Sequence, residues 1–393
     1  MRKAWPVTLA AILAGIAIAV SQNKVAPCLG VLQSAFQIDM SAAGWLSSVF
    51  SVMGILMALP AALLTDRIGP RRACLLSLGA AMAGGLLGLT AHSFPVLLLS
   101  RVVEGIGAGI IAVAVPSIIA RYFPPEKRGL PTGIWSSWQF VAQALCFFFG
   151  VSITDAFGWQ GAWWAGVLFA GGAAVLGALI IRVPAGPGGD ASSQAARPVS
   201  LRAVAGQKSV LAICFAMFCF CFTCFGFVTW APTCWSQKLG FSLEQANWFI
   251  SIFAILSIPA VLVVGWLIDR VSHRRIAVLA CLGYGLMMLW TFLMPGRVFM
   301  VPYLLVYPFF EGAVSTSLWT VVSQTPLRPQ EAPTAIALFN LSSNCGMLIG
   351  PPVAGAVAER FGWGVLAVPL ALAMVASALG AFWAKERRDA ELS

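Results

Sequence analysis

Long apolar runs alternate with short polar breaks along nearly the whole chain. A run of roughly 20 apolar residues spans a bilayer as a helix. Lipid offers backbone groups no water to bond, so such runs must be helical. The breaks predict twelve spans, at about 5–34, 43–64, 73–91, 94–120, 130–153, 159–182, 209–235, 244–268, 276–294, 298–325, 334–357 and 361–384. Several exceed the minimum length, which allows tilt. The first run has the charged start of a signal peptide, but it is long, lacks a clear cleavage site and continues towards Phe36, so it reads as a retained first span.

Composition agrees with this pattern. Hydrophobic residues make up 60% of the chain and charged residues 10%, whereas a soluble domain carries about 25% charged residues. The class is a polytopic membrane protein. A net charge of +10 could suggest nucleic acid, but the cations lie in short loops between spans, so no nucleic-acid partner is expected. If the N-terminus is cytoplasmic, 19 lysines and arginines fall on the cytoplasmic side and 3 on the other. That asymmetry places both termini in the cytoplasm and the chain in a cell (inner) membrane.

The ten cysteines lie mostly in apolar segments, where the residue behaves as a small hydrophobe, and free thiols are expected. Cys219, Cys221 and Cys224 invite a soft-metal reading, but their stretch has no histidine or acid, so packing is the better account. His92 and His273 sit at span edges. No phosphate-binding loop is visible, no cofactor is implied, and nothing indicates an enzyme. Energy must then come from an ion gradient or from the substrate's own gradient.

The two halves repeat. Trp248 and Asp269 each lie 203 positions after Trp45 and Asp66, the Pro131-Thr132 pair recurs at Pro333-Thr334, and Phe-Gly-Trp at 157–159 recurs at 361–363. Ser41 and Ser242 each precede a span and can cap it. A Pro-, Gly- and Ser-rich segment lies between. The expected organisation is a six-helix bundle over 1–182, a cytoplasmic linker over 183–208 and a second six-helix bundle over 209–393, as in transporters built from repeats.

The loop after span two carries Asp66, Arg67, Gly69, Arg71 and Arg72, with Ala62 ahead of them. The loop after span eight carries Gly265, Asp269, Arg270, Arg274 and Arg275, with Ser272 in the place of the later glycine. Together with twelve spans in two halves, this resembles the major facilitator superfamily, whose loop motif is Gly-x-x-x-Asp-Arg-x-Gly-x-Arg-Arg. Each copy departs from it by one glycine. The resemblance implies an all-α membrane protein with twelve transmembrane helices in two pseudo-symmetric six-helix bundles. The basic residue of span one, Lys24, also resembles, weakly, the cyanate-transporter and organic-anion-symporter branches. The motif can gate, with Asp66 meeting a helix N-terminus or an arginine in one conformation only, or its arginines can simply fix topology. "RVVEGIGAGI" at 101–110 is similar to the family's span-four pattern. "GMLIGPPVAG" at 346–355 looks like the antiporter exporters' Gly-Pro element, but stands in span eleven rather than five.

Ionisable groups inside spans are functional candidates. Lys24, beside Asn23 and before Pro27, lies in span one, and Arg101 in span four. The resemblance puts both spans at a central cavity, where two cations imply an anionic substrate. The competing readings are interfacial snorkelling for Lys24 and pairing with Glu104 for Arg101. Glu104 and Glu311 each precede a glycine in spans four and ten. A carboxyl withdrawn from water can take up a proton near neutral pH. Glu311 has no basic neighbour in its own span, which makes it the stronger coupling candidate. Trp138 and Gln139 on span five, Tyr307 on span ten, and Asn340 and Asn344 on span eleven are pocket candidates; helix–helix hydrogen bonding is the competing role.

The expected activity is secondary active transport of a small anionic metabolite, a carboxylate or inorganic oxyanion, by alternating access with proton symport or anion exchange. The expected partners are that substrate, protons and the lipid bilayer, with the protein a monomer. The alternative is a proton-driven multidrug or metabolite exporter, which needs a broad apolar pocket and has no use for Lys24.

Overall fold

The computed structural model describes residues 4–57, 60–124, 127–181, 204–268, 273–325, 328 and 331–384. Its helices are α1 (Ala4–Asn23), α2 (Leu29–Phe36), α3 (Met40–Ser48), α4 (Phe50–Leu56), α5 (Pro60–Ile68), α6 (Pro70–Leu89), α7 (Phe94–Tyr122), α8 (Gly129–Ser136), α9 (Trp138–Ile180), α10 (Lys208–Leu239), α11 (Leu243–Ile268), α12 (His273–Leu293), α13 (Met300–Gln324), α14 (Ala332–Phe361) and α15 (Trp363–Trp383). Among the described residues nine helices are long and apolar enough to cross a membrane, or ten if α4 and α5 form one bent span. The stretch over 130–180 holds two predicted spans, and α14 stands where the eleventh is expected, so the elements are consistent with twelve crossings.

The chain divides into two units. One comprises Met1–Asp39 and Trp45–Ala195; the other comprises Met40–Gly44 and Ala196–Ser393. Residues 183–203 of the expected linker lie outside the described residues. In the first unit α1 packs on α9, α6 on α7 and α9, and α4 on α7. In the second, α10 packs on α14 and α15, α12 on α13 and α15, and α11 on α13. The two pairing schemes are the same, so the sequence repeat is a repeat of packing.

Backbone turns repeat with it. Gly158 (φ 69°) breaks α9, and Gly362 (φ 80°) separates α14 from α15. These are the glycines of the two Phe-Gly-Trp triplets. A side chain is disfavoured at that backbone, so glycine recurs. Gln37 (φ 51°) ends α2 as Gly240 (φ 67°) ends α10, 203 positions later. There the first half uses glutamine, which hides the match in the sequence.

Two expectations change. Ser242 caps α11 reciprocally with Gln245, each side chain meeting the other's backbone N–H at 3.1 Å. Ser41 instead lies inside α3, which starts at Met40. The second span is broken into α3, α4 and α5, with 73° between the last two. Pro60 lacks an N–H and disfavours helix in the residue before it, which explains a break there.

Glycines set helix separation. A Cβ at Gly107 would lie 2.6 Å from the Ser77 carbonyl oxygen, whereas one at Gly79 would meet nothing within 4 Å. Gly107→Val is therefore expected to cost about 1–3 kcal/mol by forcing α6 from α7. Gly79→Ala should stay within about 0.5 kcal/mol of wild type. Thermal unfolding of the purified protein checks both.

Candidate functional site

Pro27 interrupts the first span. α1 ends at Asn23, a short 3-10 turn follows over Ala26–Cys28, and α2 begins at Leu29. A helix end leaves carbonyls without partners inside the helix. Here Arg101 of α7 fills that role. Its Nη1 donates to the Ser21 oxygen at 2.6 Å, its Nη2 to the Gln22 oxygen at 3.0 Å, and its Nε to the Leu46 oxygen at 3.3 Å. Nη1 also pairs with Glu104 Oε2. The planar guanidinium satisfies four acceptors at once, which a lysine could not do.

Lys24, just past the break, reaches the other oxygen of the same acid. Its Nζ lies 2.6 Å from Glu104 Oε1 and 4.6 Å from the Trp163 ring centroid. Arg101 and Glu104 are 0% exposed and Lys24 is 4% exposed. Two cations thus share one carboxylate out of water. The surplus positive charge faces the carbonyl end of α1, where the helix dipole favours cations, and the faces of Trp163 and Phe50. Gly84 admits the acid: a Cβ there would lie 2.6 Å from Glu104 Cγ, whereas one at Gly166 would make ordinary contact with Lys24 Nζ at 3.4 Å.

The second unit places its acid differently. Glu311 of α13 accepts from Ser257 Oγ at 2.9 Å and from Cys224 Sγ at 3.5 Å. Tyr307, one turn earlier, shares a hydrogen bond of 2.8 Å with Tyr284. Glu311 is buried and forms no ion pair among the described residues. The repeat explains the contrast. Cys224 and Phe227 lie 203 positions after Ser21 and Lys24. The position of the cation has become an aromatic that packs on Tyr307, with ring centroids 4.7 Å apart.

The sequence profile of the Major Facilitator Superfamily matches residues 7–328. The chain belongs to that superfamily. Among relatives, the uncharacterized MFS-type transporter Rv1250 of Mycobacterium tuberculosis is 29% identical over 160 residues, 40% of this chain, and the match spans only 28% of Rv1250. The uncharacterized transporter YycB of Bacillus subtilis is 25% identical, covering 85% of this chain and 81% of YycB. The hexuronate transporter of Bacillus subtilis is 22% identical, covering 91% of this chain and 88% of that protein. A crystal structure of a bacterial homolog of the human lysosomal transporter Spinster superposes with a TM-score of 0.74 at 17% identity, over 96% of this chain and 95% of that one. The architecture is thus the major facilitator fold of a multi-pass membrane transporter.

In this superfamily member the remaining candidates fall into three groups. Gln139 joins the first cluster from outside: its Nε2 donates to Gln22 Oε1 at 3.1 Å. Trp138 stacks on Trp135, with centroids 4.6 Å apart. The amides of Asn23, Asn340 and Asn344 donate to carbonyls in their own helical segments, those of Ala19, Ile336 and Asn340. Trp230 lies within α10, fully buried, and donates from its indole N–H to the Pro351 oxygen at 2.8 Å.

The loop motif makes contacts that the sequence did not suggest. Arg71, at the start of α6, donates to the Ala178 oxygen at the end of α9 at 2.8 Å. Arg274, 203 positions later at the start of α12, lies 4.8 Å from the ring centroid of Phe382 at the end of α15. Each arginine ties the third span of its unit to the sixth. Asp66, Arg67 and Arg72 are exposed, as is Arg275, while Asp269 and Arg270 lie outside the described residues. All ten cysteines are free. Sequence reasoning missed Ser21, Gln22, Trp163, Ser257 and Tyr284. A fold template with the glycines of 84–88 facing span four could have pointed to the first cluster.

Arg101→Lys loses at least one of four acceptors and the planar fork that reaches the rest, and is expected to cost about 2–3 kcal/mol or more. Glu311→Gln keeps an acceptor for Ser257 and should cost less than about 1 kcal/mol. Thermal unfolding in detergent ranks the two; the reverse order contradicts these assignments.

Proposed function

We propose that this protein is a secondary active transporter of a small carboxylate or inorganic oxyanion, coupled to protons, working by alternating access between bundles 1–182 and 209–393. The observation that carries this reading is the pair of buried cations on a single carboxylate, which gives the first unit a surplus positive charge at membrane depth. A hexuronate is itself a carboxylate, so the name of one relative agrees with the charge. The lysine and arginine asymmetry supports two cytoplasmic termini and a cell-membrane location.

The geometry supports a division of roles. Arg101 is held by four acceptors and serves to fix Glu104 and the broken end of α1. Lys24 has one carboxylate oxygen and one aromatic face, so it is the cation that an incoming anion can take over. Glu104 then rests on Arg101 alone. Glu311 is the proton carrier: with only hydroxyl and thiol donors around it, it can gain or lose a proton without breaking an ion pair. A proton moving with the anion offsets its charge against the membrane potential. Asp66, Arg67, Arg72 and their second-copy counterparts remain the gate candidates, whereas Arg71 and Arg274 anchor helices within their own units.

Reconstitution into liposomes tests the reading. Small carboxylates, a hexuronate among them, should enter faster when the outside is acidic. Lys24→Ala should lower that flux by at least about tenfold, the worth of one charged hydrogen bond. Glu311→Gln should abolish the acceleration by the proton gradient while leaving exchange of labelled for unlabelled substrate. Full flux of every transported anion through Lys24→Ala, or outward movement of neutral and cationic drugs alone, overturns the anion reading.

A further inference from the structure

An open groove of about 460 Å³ runs between α10 and α15 of the second unit, away from the acid cluster of Glu311. Its walls follow one face of each helix: Lys208, Leu211 and Phe215 on α10, and Leu379, Gly380 and Trp383 on α15. These spacings of three and four residues put the side chains in rows. Gly380 forms the floor, because a Cβ there would lie 2.7 Å from the Ala212 carbonyl oxygen. Leu211, Phe215, Leu379 and Trp383 are each more than half exposed.

The groove is apolar along its length and cationic at one end. From Lys208 to Phe215 it extends about 10 Å along the helix. Lys208 is exposed, and it has no carboxylate partner among the described residues. It stands in the first turn of α10, where the helix dipole disfavours a cation and favours an anion beside it. Arg274, stacked on Phe382, brings a second cation to the same end of α15. Trp383 at that end suits the boundary between hydrocarbon and headgroups.

We propose that this groove is a binding site for one anionic phospholipid, with an acyl chain along Leu211, Phe215 and Leu379 and the phosphate at Lys208. The charge decides the occupant. A zwitterionic lipid fills the apolar walls equally well, but the cation beside its phosphate leaves Lys208 no net negative charge to meet. A helix from a second copy of the chain would cover the apolar walls with its backbone bonded internally, but those walls alone bring no anion to Lys208. The site is independent of the transport reading, since neither Lys24 nor Glu311 contributes to it.

Native mass spectrometry of the full-length protein from detergent tests it, with palmitoyl-oleoyl phosphatidylglycerol and phosphatidylcholine added in equal amounts. The expected first adduct is phosphatidylglycerol, preferred about fivefold or more, as one basic residue at an anionic headgroup gives. Lys208→Glu should erase that preference. Leu211→Trp, which fills the groove from an exposed position, should reduce retention of the first lipid, and it tests the chain subsite even if Lys208→Glu fails to fold. Equal retention of both lipids by wild type, an unchanged preference in Lys208→Glu, or undiminished retention in Leu211→Trp each overturns the site.

Discussion

Glu104 is one carboxylate held between two cations, each taking a different oxygen, in a part of the first unit that water does not reach. Removing one partner from a buried ionic group costs about 3–5 kcal/mol, because the charge left behind has no solvent. The local architecture follows from that constraint. α1 must stop at Asn23 so that its last carbonyls can face Arg101. Pro27 enforces the stop. α6 must present glycine at Gly84, where the acid passes. The broken first span is thus part of the charge arrangement, and it follows the general rule that irregular backbone at membrane depth is tolerated where protein satisfies it.

The second half keeps the scaffold and changes the chemistry. Its helices pair as in the first half, and the same left-handed glycine separates its last two. Yet Ser21 and Lys24 have become Cys224 and Phe227, and no cation reaches Glu311 among the described residues. The two halves thus hold one acid neutralised in place and one supported only by hydroxyl and thiol donors. An inward-facing acid of the second kind can change its proton without dismantling a salt bridge. The two arginines at repeated positions, Arg71 and Arg274, show the reverse: the sequence is kept, and each holds the equivalent helix ends together by a different contact, a carbonyl in one unit and an aromatic ring in the other.

Much of this was legible beforehand. Apolar runs gave the spans because lipid admits little else, and constant offsets gave the repeat. Rarity of charge inside spans singled out Lys24, Arg101, Glu104 and Glu311. The i,i+3 spacing already paired Arg101 with Glu104. What the sequence withheld was distance across the fold: that Lys24, 80 positions away, shares that acid. Backbone carbonyls carry no residue identity, so the acceptors at Ser21, Gln22 and Leu46 left no trace. The break of the second span was signalled only by Pro60, a weak cue among 23 prolines. Gln37 in a left-handed turn could not be guessed where glutamine is not the favoured residue.

The central claim is that Lys24 and Arg101 depend on the charge of Glu104. A double-mutant cycle on unfolding, using Lys24→Met, Glu104→Gln and the two combined, measures that dependence directly. The double variant is expected to be more stable than Glu104→Gln alone, because removing Lys24 removes a stranded cation. Simple additivity of the two losses would contradict it.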